Sequence, residues 1–167
     1  MDVPLSVAQI SRNAAPHRPL RHSERIASWI AQIAVAFILG QTLYFKFTYA
    51  PETQIIFADL GGRPAATIVG IVELICAILL VIPAAAVYGA LLALAAISGA
   101  IGLHLTVLGI AIRNPATNES DGGVLFLLAV LVALGSIAIL AIRRDQLKAR
   151  IRMLTSGPRL LAKGAKP

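Results

Sequence analysis

"GIVELICAILLVI", residues 70–82, is a run of thirteen positions in which twelve are glycine or apolar and one, Glu73, is a carboxylate. The apolar residues are continuous rather than alternating, which argues against a half-buried strand or a β-barrel segment. Extended back to Pro64, the run reaches the ~20 residues that carry a helix across ~30 Å of hydrocarbon. Three similar runs lie on either side of it, so four helices are expected, over about 26–47, 64–82, 85–112 and 124–142. The fold class read from this pattern is all-α: an integral membrane four-helix bundle.

Composition agrees. The 167-residue chain is 57% hydrophobic and 14% charged, and a soluble domain of this length could not hide so much apolar surface. A largely polar segment of about 25 residues precedes the first run, which is too long for the apolar part of a cleaved signal sequence, so it reads as a true span. Residues 1–24 hold Pro4, Pro16 and Pro19 without a sustained period and are expected to be disordered. Residues 143–167 form a basic tail, expected to be helical in part because Leu147, Ile151 and Leu154 recur at helical spacing.

The net charge of +7 is distributed in a way that opposes nucleic-acid binding. Arg12, Arg18, Arg21 and Arg25 precede the first run, and Arg143, Arg144, Lys148 and five further basic residues follow the fourth. The first loop, with Glu52, Asp59 and Arg63, and the third, with Arg113, Glu119 and Asp121, are both net acidic. Basic ends and acidic loops predict both termini in the cytoplasm, with the ends resting on anionic lipid. No aromatic-basic interleaving accompanies the charge, so no nucleic-acid partner is expected. Cys76 is the single cysteine, which excludes an intrachain disulfide, a CxxC redox pair and a cysteine-rich metal site. It reads as a small core residue.

Aromatic residues and Lys46 at Tyr44–Tyr49 mark the outer boundary of the first helix, and Thr53–Leu60 reads as a short interfacial helix. Pro64 suits a first helical turn. Pro83-Ala84 makes a tight link between antiparallel neighbours. On the third span, Val87, Leu91, Leu94, Ile101, Leu105, Leu108 and Ile112 form a large-residue stripe expected to face lipid. Gly89, Ala93, Ala96, Ala100 and His104 form one packing face. Ala95, Gly99, Gly102, Thr106 and Gly109 form a neighbouring stripe of mostly small residues that would admit close helix approach.

A charge at mid-span costs on the order of 3 kcal/mol, so Glu73 is expected to face other helices, between Gly70 and Ala77, and to be protonated or paired. Counting ~1.5 Å per residue, Gln41, Lys46 and His104 fall in the same outer half of the bundle, with Asp121 at the start of the fourth helix. Glu73, His104, Lys46, Gln41 and Asp121 are therefore the candidate ligand-binding or proton-handling residues. Each has a plainer role available: a satisfied buried carboxyl or imidazole, a snorkelling lysine, a helix cap for Asp121. Gln41 and Lys46 differ by ~140° around a helix, so both cannot point straight at the axis. Gln32 is expected to bond across helices in the inner half. No metal site and no covalently bound cofactor is expected, and no catalytic residue is assigned.

In order and spacing, "YFKF", "FADLGGRP", "VGIVELICAILLVI" and "ALLALAAISGAIGLHLTV" resemble the DoxX-like family of small four-helix bacterial membrane proteins, over about residues 26–142. The resemblance places the family's lysine on Lys46, its G-x-x-E on Gly70 and Glu73, and the histidine of many members on His104. Pro83 stands where glycine is usual. The resemblance implies a location in the bacterial inner membrane and a component of an oxidoreductase system, with a quinone as possible ligand and a redox partner subunit. The helical core also resembles vitamin K epoxide reductase-type proteins, whose cysteine pairs are absent here. Three functions compete: a quinone-interacting accessory subunit, a proton-coupled small-solute transporter or binder using Glu73, and a structural or assembly subunit. Homo-oligomer formation fits any of them.

Overall fold

A computed structural model describes residues 20–114, 117–149 and 151. The N-terminal segment up to residue 19 and the tail beyond 151 lie outside the described residues, and with them the expected disorder of residues 1–19 and the expected helical position of Leu154. Helix α1 spans His22–Thr48, α2 Pro51–Phe57, α3 Gly62–Val81, α4 Ala86–Leu103 and α5 Val124–Ile142. A π-helical turn, His104–Leu108, continues α4. Four of these units are long and apolar enough to cross a membrane. The chain is thus a multi-pass helical membrane protein.

Local chemistry sets the boundaries. Arg21 opens α1: its backbone N–H donates to Glu24 Oε2 (2.9 Å), supplying one of the bonds that a helix start lacks. Tyr49 closes α1 in the left-handed region at φ 53°, its N–H turned back to Lys46 O. Pro51 then occupies the first turn of α2, where a missing N–H costs nothing. The expected interfacial helix exists but starts and ends earlier than Thr53–Leu60. The α3–α4 link is as short as Pro83-Ala84 implies, with Ala85 N–H donating to Ile82 O at 2.9 Å.

The four spans pack as a ring in chain order, α1 against α3, α3 against α4, α4 against α5, and α5 back against α1. One end of the bundle carries the two long loops (the loop end), and the other carries the α3–α4 link, the start of α1 and the end of α5 (the terminus end). Between them Val35, Leu39, Cys76, Leu80, Ala93, Val132 and Ile139 form an apolar core. The outer surface is apolar too: Ile30, Phe37, Ile68, Leu105, Leu127 and Leu134 are each more than half exposed, the distribution expected where lipid is the solvent. Two glycines permit the tightest approaches. A Cβ on Gly89 would lie 2.8 Å from the Leu80 backbone nitrogen, and one on Gly135 2.5 Å from Val35 Cγ2.

Three expectations for the third span need correction. The α-helix ends at Leu103 and its π continuation at Leu108, not at 112, because Gly109 takes φ 78° and turns the chain away. Val87 and Ile112, assigned to the lipid stripe, are buried at 4% and 6%: Val87 lies beside the tight α3–α4 link, and Ile112 is already in the loop. The stripe of Ala95, Gly99, Gly102 and Thr106 does not pack inside the bundle, and a Cβ on Gly99 or Gly102 would meet nothing within 4 Å. The Gly89, Ala93 and His104 face is buried as expected.

Candidate functional site

The buried face of α1 follows helical spacing: Ser28, Gln32, Val35 and Leu39 are enclosed, and Thr42 and Lys46 continue the line half-buried. Across from it, α3 presents Ala66, Gly70, Glu73, Cys76 and Leu80. At the loop end the two faces meet in an ion pair. Lys46 Nζ lies 2.8 Å from Glu73 Oε2, with only 15% and 10% of the two side chains exposed. The Thr42 hydroxyl lies 3.0 Å from the same oxygen and 2.8 Å from Leu39 O. A hydroxyl has one proton, so Thr42 serves one acceptor at a time. Gly70 makes the approach possible: a Cβ there would stand 3.2 Å from the Phe47 ring and 3.5 Å from Lys46 Cβ.

Beside the pair is a cavity of about 210 Å³ lined by Thr42, Phe45, Lys46, Glu52, Thr53 and Leu125. Thr53 is fixed there by donating to Phe45 O at 3.0 Å. A second cavity of about 160 Å³ adjoins it and shares Glu52 and Leu125, with Asn114, Glu119 and Asp121 on its far wall.

The other candidates separate from the pair. His104 is buried at 6% exposure, and its Nδ1 lies 2.8 Å from Gly109 O. A carbonyl only accepts, so Nδ1 carries the hydrogen, which in the neutral ring leaves Nε2 without one. The ring meets Phe126 edge-on at 5.5 Å between centroids. Among the described residues no hydrogen bond or ion pair joins His104 to Glu73. Gln41 is exposed, a correction to its place in the pocket: one position before Thr42, the helical turn of ~100° carries it off the face that meets α3. Asp121 anchors the loop to α5. Its Oδ1 accepts from Ile112 and Gly123 N–H, at 2.7 and 3.0 Å, and its Oδ2 from Leu125 N–H at 3.2 Å. The bonds from Gly123 and Leu125 satisfy free amides at the start of α5, and the one from Ile112 ties the incoming loop to it.

At the terminus end lies a second polar group that the sequence reading distributed differently. Arg143, counted with the lipid-facing basic tail, is buried at 4% exposure. Its Nε donates to Ser28 Oγ (2.8 Å), and its Nη1 to Pro83 O (2.7 Å) and Gln146 Oε1 (3.3 Å). Burial holds its guanidinium below the ordinary arginine value. Gln32 bonds within its own helix, donating to Ser28 O and Oγ at 2.8 and 2.6 Å, rather than across helices. Its Oε1 and the Ser136 hydroxyl have no partner.

Thr42 and Glu52 escaped the sequence reading. Thr42 could have been found, since it lies four residues before Lys46 on one helical face; nothing local marks Glu52. Among the described residues no group of three His, Cys, Asp or Glu side chains could hold a metal ion. Comparison with protein-family models, with curated proteins and with solved structures returns no match for this chain.

Proposed function

We propose that the protein is a DoxX-like component of a bacterial inner-membrane oxidoreductase system, and that the cavity beside Lys46 and Glu73 receives the head group of a quinone. The observation that carries this is the ion pair itself, placed at the edge of a cavity rather than sealed behind packing. An ammonium has three donors. One meets Glu73, and the others are available to a carbonyl oxygen in the cavity.

The residues fit a quinone head in kind and in size. Lys46 supplies the donors, and Phe45 and Leu125 supply apolar wall. A volume of about 210 Å³ is below the ~300 Å³ at which drug-sized sites begin. It suits a single ring whose isoprenoid tail stays in lipid. When bound, the quinone supplies the electron-accepting chemistry. The chain's part is to bind and orient the ring through Lys46, with Glu73 holding the ammonium in place. Electrons come from a partner subunit. The basic ends and acidic loops of the sequence support a reading in which this cavity opens toward the periplasmic face.

The test is binding of a short-chain quinone to the full-length protein in lipid nanodiscs, for wild type and Lys46→Gln. The expected result is saturable binding weakened about tenfold or more by the substitution, the loss of one charge-assisted hydrogen bond of ~1.5–3 kcal/mol. Equal binding by both proteins would overturn the assignment. A second reading, a purely structural pair, is favoured by the mutual satisfaction of the two charges. It predicts that Lys46→Gln lowers stability while wild type binds no quinone. Solute uptake by proteoliposomes under a pH gradient, abolished by Glu73→Gln, would instead favour transport.

A further inference from the structure

Three carboxylates line the two adjoining cavities, and they are not equivalent. Asp121 is spent on three backbone amides. Glu119 Oε2 accepts the Thr117 hydroxyl at 3.3 Å. Glu52, on α2, lines both cavities, and among the described residues it accepts no side-chain hydrogen bond and forms no ion pair. It lines the larger of the two cavities together with Lys46, yet the ion pair of Lys46 is with Glu73 and not with Glu52. The cavity is therefore lined by a cation that still has donors to offer beyond its bond to Glu73 and by an exposed carboxylate without a partner among the described residues.

Such a pair of walls sets a requirement on the occupant. The part near Lys46 must offer an acceptor, and the part near Glu52 must offer a donor. A fully oxidised quinone has two acceptors and no donor, so one of its oxygens would face a carboxylate with no proton between them. A dihydroxy ring meets both walls: one oxygen accepts from Lys46, and the other hydroxyl donates to Glu52. We infer that Glu52 makes the site selective for the reduced, quinol form, an inference that rests on the quinone reading above. Glu52 acts here as a specificity residue through one charge-assisted hydrogen bond, and no electron transfer is required of the chain.

The experiment measures dissociation constants for a short-chain quinone and for its quinol, the latter under anaerobic conditions, on the full-length protein in nanodiscs. Wild type, Glu52→Ala and Glu52→Gln are compared. The expected result is a wild-type preference for quinol that falls about tenfold in Glu52→Ala, with Glu52→Gln between the two because its amide oxygen still accepts. Glu52 is exposed on a short helix, and circular dichroism of each variant verifies that the fold is kept. A quinol-to-quinone preference unchanged in Glu52→Ala overturns the role of Glu52 and leaves the quinone site standing. Absence of binding of either form to wild type overturns the quinone reading and this inference with it.

Discussion

Lys46 and Glu73 form the contact on which the loop end is organised, and their energetics are asymmetric. Two charges removed from water attract strongly but lose much hydration, so a buried pair is worth little net, whereas breaking it strands a charge. Lys46→Met is expected to destabilise the protein by roughly 3–5 kcal/mol, and Glu73→Gln added to it should recover a large part of that loss. Unfolding in detergent micelles, read as a double-mutant cycle, measures both; additive losses would show that the pair is not coupled. Arg143 makes a parallel case at the terminus end. Arg143→Ala leaves Ser28, Pro83 and Gln146 without its donors, an expected cost on the order of 2–3 kcal/mol. Arg143→Lys should restore only part of it, since an ammonium cannot reproduce the planar fork that joins α1 and the α3–α4 link to Gln146. Glu73 announced itself in the sequence because a carboxylate inside an apolar run has no cheap explanation. Arg143 did not, because a basic residue at the end of a last span ordinarily reads as a lipid anchor, and only tertiary packing shows it turned inward.

The α3–α4 hairpin makes the sharpest test among the elements. Gly89 faces the Leu80 backbone at a distance that no side chain tolerates, and backbone cannot swing aside as a flexible side chain can. Gly89→Ala is expected to cost about 1–3 kcal/mol by overpacking, while Gly99→Ala, with open space beside it, should be near neutral or mildly stabilising through helix propensity. Thermal unfolding of the two variants side by side checks this; equal effects would contradict the packing. Run length and polarity made the four spans legible, and Pro83-Ala84 made the hairpin legible. The end of α4 was not, because residues 104–112 are apolar enough to continue a span. The π-helical turn at His104 and the left-handed Gly109 that stop it are backbone choices with no hydropathy signature. Nor did the pattern decide which of two neighbouring small-residue faces of α4 turns inward, since both satisfy the same rule.

At the scale of the whole molecule, polar chemistry sits at the two ends of one helical face of α1. Ser28 and Gln32 lie toward the termini, Thr42 and Lys46 toward the loops, and Val35 and Leu39 between them belong to the apolar core. The bundle thus joins a structural polar knot at one end to a cavity-bearing ion pair at the other. The second is legible in outline through Lys46 and Glu73, while His104, Gln41 and Asp121 join them chiefly by depth, His104 also by its packing face and the family resemblance. Depth is a one-dimensional coordinate. The angular position around each helix, the loop fold and the π-helical turn then separate those three from the pair. The most direct measurement is a structure of the full-length protein in nanodiscs with a short-chain quinol bound. The ring is expected in the cavity between Phe45 and Leu125, one oxygen within hydrogen-bond distance of Lys46 Nζ and the other facing Glu52. A ring bound elsewhere on the lipid-facing surface, with the cavity empty and the Lys46–Glu73 contact undisturbed, would contradict the account.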